Sequence, residues 1–211
     1  MFLPVTNSTV LEELNWVDDF ASRNAVAISF FGSARIREGT ATYELARDIA
    51  RCLAESGYTI ISGGGPGIMR AVMLGTQEVN GQAIGFHINL PFEPLDTSHQ
   101  NDGRAFDYFF TRKLAFAHCS HAFVVLPGGM GTLDELFDIL TLMQTGKIPR
   151  HPVVLVGSDF WAGLLRWMRH QLEASELIDI GEIEALGIAD SPEDVSALLS
   201  RQLSMPKQIH L

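Results

Sequence analysis

The stretch that most constrains this chain is Leu126-Pro127-Gly128-Gly129-Met130-Gly131-Thr132-Leu133-Asp134-Glu135-Leu136. Ahead of it, His121-Ala122-Phe123-Val124-Val125-Leu126 is short, apolar and rich in valine, the pattern of a buried strand. Behind it, Leu133, Leu136, Phe137, Leu140 and Met143 recur at the spacing of one helical face. A glycine-rich turn therefore joins a strand to a helix. In an open α/β sheet such turns lie at the carboxyl ends of strands, where ligands bind. Small residues let backbone N–H groups approach an anion, and the helix N-terminus adds positive potential. Glu135, about one turn into the helix, would repel a phosphate beside it, so a role for it concerns another part of the ligand. A tight turn followed by an ordinary acidic first turn is the alternative.

The rest of the chain repeats the strand-to-helix alternation. Residues 1–24 form an N-terminal helical extension, with Val10, Leu14, Val17 and Ala21 on one face, and residues 25–211 form a single domain. Ala25 to Phe31 reads as the first strand, ending in Gly32-Ser33-Ala34-Arg35. A helix over 40–56 stops at Gly57. A strand over 58–61 opens into Ser62-Gly63-Gly64-Gly65-Pro66-Gly67, and a helix follows through Ile68, Met69, Ala71, Val72 and Leu74. Two glycine junctions on successive strands suggest one ligand gripped from two sides, with close helix–strand packing as the plainer reading.

A third strand spans 82–87, and an irregular stretch over 88–104 follows, long enough to cover a cleft. Phe106 to Phe110 reads as a short aromatic strand or turn, after which Thr111-Arg112-Lys113 opens a helix. Cations in a first helical turn are electrostatically costly unless they meet an anion. A strand over 152–157, a helix over 160–172 and short helical pieces from Ile183 onward complete the chain. The alternation predicts a doubly wound parallel α/β sheet of Rossmann type with helices on both faces.

Composition narrows the function. A formal net charge of −10 disfavours a surface that tracks nucleic-acid phosphates. Two cysteines, Cys52 and Cys119, make no disulfide framework and fit a reducing cytoplasm. No apolar run is long enough to span a bilayer and no leader pattern opens the chain, so a cytoplasmic location with no membrane partner is expected. The G-x-G-x-x-G and P-loop patterns are absent, as is a G-x-S-x-G elbow. His118, Cys119 and His121 straddle a helix end and a strand start, where their side chains diverge, so no metal is expected. Neither Lys113 nor Lys147 sits in a pyridoxal environment, and no cofactor is called for.

Pro127-Gly128-Gly129-Met130-Gly131-Thr132-Leu133-Asp134-Glu135 matches P-G-G-x-G-T-x-x-E in full. With Arg112-Lys113 upstream, the chain resembles the LOG (LONELY GUY) family of cytokinin riboside 5′-monophosphate phosphoribohydrolases, a group also labelled lysine decarboxylases. The resemblance extends over residues 25–195 and includes Phe31-Gly32-Ser33, Gly63 to Met69, Leu90-Pro91-Phe92-Glu93 and Gln144-Thr145-Gly146-Lys147.

The resemblance implies hydrolysis of the N-glycosidic bond of a purine nucleoside 5′-monophosphate, AMP or an N6-modified AMP, to free base and ribose 5-phosphate. Arg112 and Glu135 match the catalytic pair, and Gly128, Gly129, Gly131 and Thr132 match the phosphate-binding turn. Ser33, Met69 and Lys113 match positions lining the nucleotide pocket, which Gly64 and Gly65 border. Arg70 departs from the acidic or small residue of many relatives. The family also implies a homodimer, and Trp16, Trp161 and Trp167 offer aromatic surface for one. A non-catalytic carrier of a nucleotide or of molybdenum cofactor has the same fold and stands as the alternative.

Overall fold

A computed structural model of the chain describes residues 5–23, 25–90 and 97–203. Its centre is a seven-stranded sheet in which every neighbouring pair is parallel. The strands are β1 (Ala27–Phe31), β2 (Thr59–Ser62), β3 (Ala83–Ile88), β4 (Asp102–Phe106), β5 (Ala122–Val125), β6 (Val153–Val156) and β7 (Gly187–Ala189). Their order is β4-β3-β2-β1-β5-β6-β7. The chain builds outward from β1 in one direction, then returns to add β5 on the other side, so the winding reverses between β1 and β5. That junction is the switch point of a doubly wound sheet, as the alternation predicted.

Burial on both faces explains the apolar strands. Phe31, Phe123 and Val125 face one cluster with Phe116, Leu136, Ile139 and Trp161. Ile28, Phe30, Ala122 and Val124 face the other, with Tyr43, Ile49, Leu53, Val72 and Leu199. The helices divide accordingly: α2 (Ala41–Glu55), α3 (Ile68–Gln77) and α7 (Pro192–Leu203) cover one face. The other is covered by α1 (Asn7–Ala21), α4 (Phe109–Cys119), α5 (Met130–Gln144) and α6 (Ser158–Trp167). Local signals set the boundaries. Thr40 caps α2 by accepting from the Tyr43 N–H at 3.4 Å, and Gly57 at φ +87° follows its end.

Four elements differ from the sequence reading. β4 begins inside the stretch read as irregular and runs two residues past it, a start that went unread because Asp-Gly-Arg-Ala-Phe has no β-branched residue and the strand sits at the sheet edge. Phe106 to Phe110 is no single strand: Phe106 ends β4, while Phe109 and Phe110 begin α4, two residues before the expected start. α6 spans Ser158–Trp167 and continues as a π-helical turn over Met168–Glu173. β7, three residues long, falls where only helical pieces were read. Of the stretch 88–104, residues 91–96, and with them Pro91-Phe92-Glu93 of the resemblance, lie outside the described residues.

α1 is built into the core. Val17 and Phe20 join the aromatic cluster, and Trp16 meets Phe20, Phe86 and Phe106 at 5.2–5.9 Å between ring centroids. Trp161 is also internal, donating its indole N–H to Val156 O at 3.1 Å, whereas Trp167 is half exposed. Glu13 lies on the same face of α1 and is 1% exposed. Its Oε1 accepts from the Asp107 N–H at 2.6 Å and its Oε2 from the Thr111 hydroxyl, so a carboxyl group from α1 ties together the residue that leads into α4 and a side chain of its first turn. Glu13→Ala removes the acceptor of the partly buried Asp107 N–H and leaves the buried Thr111 hydroxyl only the Tyr108 carbonyl at 2.9 Å, and is expected to lower the unfolding free energy by about 2 kcal/mol in urea. Glu13→Gln, which keeps one acceptor, is expected to lose less.

Candidate active site

The carboxyl ends of β1, β2 and β5 meet at the switch point, and backbone bonds from one residue hold them together. Ser33, just past β1, donates its N–H to Pro127 O at 3.2 Å. Its carbonyl accepts from the Ile68 N–H, the first residue of α3, at 3.0 Å. The turn after β1 is thus tied to both glycine-rich junctions. Gly67, at φ +66°, permits this approach, because a Cβ there would collide with the backbone of Ser33 and Ala34.

The two glycine junctions serve different ends. At Gly63, Gly64 and Gly65 a Cβ would strike Arg112, His87 and Met69 respectively, so those positions are filled by the protein's own side chains. Close packing is therefore present at that junction. At Gly129 and Gly131 nothing lies within 4 Å of where a Cβ would be. Gly128 instead packs against Thr132, whose side chain is buried beneath the turn. The Leu133 N–H closes on Gly129 O at 3.0 Å, and by helix geometry the N–H groups of Met130, Gly131 and Thr132 precede any intrahelical acceptor. An open surface of small residues above a helix N-terminus is an arrangement suited to an anion.

Arg112 and Glu135 stand beside it. Arg112, 9% exposed, donates from Nε to Phe86 O at 2.7 Å and from Nη2 to Gly63 O at 3.5 Å. Its guanidinium carbon lies 5.3 Å from the Phe116 ring centroid, one turn along α4. Nη1 faces Glu135 Oε1 at 3.7 Å. Burial lowers the Arg112 pKa, with Glu135 opposing. Burial likewise pushes the Glu135 carboxyl up to about 7, against Arg112 and Lys113, which hold it down, while Asp134 adds to the rise. Glu135 therefore changes charge near neutrality, in a wall whose counter-charge is fixed.

Of the residues singled out by sequence, the structure brings Arg112, Glu135, Met69, Gly63, Gly64 and Gly65 into one cluster, with Ser33 linking it to the turn at Gly128. Lys113 is directed elsewhere: its ammonium meets Asp134 at 2.6 Å and Asp138 at 4.0 Å, both on α5. Arg70 borders a small hollow with Gly64, Gly65, Met73, His99 and Gln100. His118, Cys119 and His121 diverge: His118 faces Asp18, the Cys119 thiol faces Val17 O, and His121 accepts the Ala27 N–H. Burial first, and Asp18 second, push Cys119 up to about 12. Two contributors escaped the sequence reading. The Phe86 carbonyl that fixes Arg112 has no side-chain signature, and His87, bonded to Gln100 at 2.7 Å beneath Gly64, looked like an ordinary strand residue.

A protein-family profile described as "Possible lysine decarboxylase" matches residues 69–199. A cytokinin riboside 5′-monophosphate phosphoribohydrolase of Mycobacterium tuberculosis is 31% identical over 156 residues, covering 72% of this chain and 81% of the relative. The chain belongs to the LOG family. A second LOG relative, from Oryza sativa subsp. japonica, is 34% identical over 134 residues, 62% of this chain and 54% of its own length. Among solved structures, the molybdenum cofactor carrier protein of Chlamydomonas reinhardtii superposes with a TM-score of 0.65 at 20% identity, over 86% of this chain and all of that one. That likeness shows the fold. Among the described residues no helix is long and apolar enough to cross a membrane.

The Glu135 shift has a consequence for stability. A carboxyl group raised in the folded state favours folding below its ordinary pKa of 4.5, and that contribution is lost as pH rises through about 7. Glu135→Gln mimics the protonated form at every pH. The variant is expected to match the parent in urea unfolding near pH 4.5 and to exceed it at pH 8 by up to about 3 kcal/mol.

Proposed function

We propose that this LOG-family chain hydrolyses the N-glycosidic bond of a purine nucleoside 5′-monophosphate, AMP or an N6-modified AMP such as a cytokinin riboside monophosphate. Water adds its hydroxyl to C1′ of the ribose and its hydrogen to the departing base, giving ribose 5-phosphate and free purine. The observation that carries this reading is the Arg112–Glu135 pair, 3.7 Å apart beside the open Gly129–Gly131 helix N-terminus. The names of the LOG relatives support it.

In this reading the 5′-phosphate sits on the free N–H groups at the start of α5, with Gly128, Gly129, Gly131 and Thr132 shaping the turn. Departure of the base leaves positive charge on the ribose, and ionised Glu135 stabilises it and orients the attacking water. Arg112 holds the carboxylate in place and offers a cation toward the phosphate side. Ser33, Gly64, Gly65 and Met69 wall the nucleotide, and Lys113 acts at one remove, by pairing with Asp134. The carrier alternative shares the fold, but carriage alone gives no reason to bury a carboxyl group whose pKa lies near 7 beside the anion site.

Phe109, Phe110 and Leu114 on α4 and Met130 on α5 are exposed apolar side chains near this site, and we assign them to a homodimer contact. The surface differs from the tryptophans first considered, two of which pack inside the chain. The free thiols fit a cytoplasmic location.

Glu135→Gln is expected to retain AMP binding and to lose turnover by about 100-fold or more, the scale of one electrostatic catalytic group. Because the ionised form is the active one, kcat/KM of the parent should fall as pH drops below about 7. Near-native turnover in the variant refutes the assignment. AMP and adenosine, compared by release of adenine, should differ by about two or more powers of ten in kcat/KM, since charge-assisted hydrogen bonds to the phosphate are lost with adenosine. Equal hydrolysis removes the phosphate anchor. AMP binding without cleavage of any nucleotide favours the carrier.

A further inference from the structure

The cationic pair near the start of α4 meets two carboxylates of α5, one each. Arg112 faces Glu135 at 3.7 Å, and Lys113 faces Asp134 at 2.6 Å. Residues 112 and 113 are neighbours in the chain, as are 134 and 135, so an inner and an outer ion pair lie side by side across the same gap between helices. Lys113 also reaches Asp138 at 4.0 Å, one turn further along α5. The inner pair is largely buried, whereas Lys113 is partly buried and the Asp134 side chain is open to solvent.

An ion pair so exposed contributes little to stability. Its place matters for charge instead. Asp134, Glu135 and Asp138 put three carboxylates within five residues of one helix. Asp134 and Asp138, one turn apart, repel each other. Asp134 also disfavours the ionised form of Glu135 beside it. Lys113 answers Asp134 and Asp138, while Arg112, fixed by Phe86 O and Gly63 O, answers Glu135.

The charged groups acting on Glu135 are Arg112 and Lys113 from α4 and Asp134 from its own helix. The segment over 63–65, which packs against Arg112, supplies only glycines. Burial and Asp134 favour the protonated carboxyl, and Arg112 and Lys113 favour the carboxylate. Lys113 thus acts twice on one group: by its own charge, and by neutralising Asp134.

We propose that Lys113 is a positioning residue for Glu135: by taking up the charge of Asp134 and Asp138 it leaves Arg112 as the free counter-charge for the inner carboxylate. The arrangement deepens the phosphoribohydrolase reading, and its consequence for turnover rests on that reading.

Carboxyl-carbon NMR titration of the full chain, without nucleotide, reads the Glu135 midpoint directly, the signal being assigned by its loss in Glu135→Gln. Lys113→Met should raise that midpoint above about 7 and Asp134→Asn should lower it, each by about 0.5 pH unit or more, the scale of one partly screened charge nearby. Lys113→Arg, which keeps the cation, should stay with the parent. A role confined to tying the two helices together would move the Met and Asn variants the same way, since both break the bridge. The proposal is overturned if the two midpoints shift in one direction, if either stays at the parent value in a variant that urea unfolding shows to be folded, or if Lys113→Arg behaves as Lys113→Met. With AMP as substrate, the acid limb of kcat/KM is expected to follow the same shifts. Opposed NMR shifts in a chain that cleaves no nucleotide uphold the charge arrangement and count against the phosphoribohydrolase reading alone.

Discussion

The reversal of strand order between β1 and β5 is the constraint on which the rest of this structure depends. Two adjacent parallel strands whose following helices leave on opposite faces open a crevice at their carboxyl ends. Here the crevice is held at a fixed width by backbone bonds: Leu126 N–H to Phe31 O at 2.9 Å within the ladder, and Ser33 N–H to Pro127 O just above it. The Ile68 N–H bond to Ser33 O adds the third wall. Side-chain substitutions leave these main-chain bonds in place, so the geometry of the site is set by topology before any catalytic group is placed in it.

The groups placed there are costly to bury. Arg112 loses most of its hydration and recovers part of it from two main-chain carbonyls, the Phe116 ring and Glu135. Glu135 recovers less, since its partner lies at 3.7 Å, and its proton affinity rises accordingly. Charges buried so incompletely are a poor device for stability alone, and they cluster where chemistry is done. The glycines at 63–65 belong to the same economy of space: each one makes room for Arg112, His87 or Met69.

α4 connects this site to the far side of the fold. Glu13 of α1 is bonded to the residue that leads into it, through the Asp107 N–H, and to its first turn, through the Thr111 hydroxyl. α4 itself carries Arg112 as its fourth residue, so the N-terminal helix acts as a brace for the guanidinium as well as a cover for Phe86 and Phe106. α5 is the second connecting element, with the glycine turn at one end and, at the other, a cavity lined by Leu140, Met143, Met168 and Leu186.

The alternation of apolar strands with amphipathic helices, and the glycine turns between them, were legible in the sequence because they follow from local stereochemistry and period. So was the P-G-G-x-G-T-x-x-E segment, whose residues touch one another through a single turn and helix. The edge strands β4 and β7 were not legible, since Asp-Gly-Arg-Ala-Phe and Gly-Ile-Ala take strand form only through pairing with β3 and β6. Nor could the sequence tell the two glycine junctions apart: the space above Gly129 is open and that above Gly64 is filled by His87, a residue of another strand. Glu13 carried no signal in the sequence, since its hydrogen bonds join residues 94 and 98 positions away. The sequence by itself determined the fold class, the turn and the candidate pair. The tertiary structure decided which charges are buried and what opposes them, because desolvation and close approach are properties of neighbours brought together across the chain.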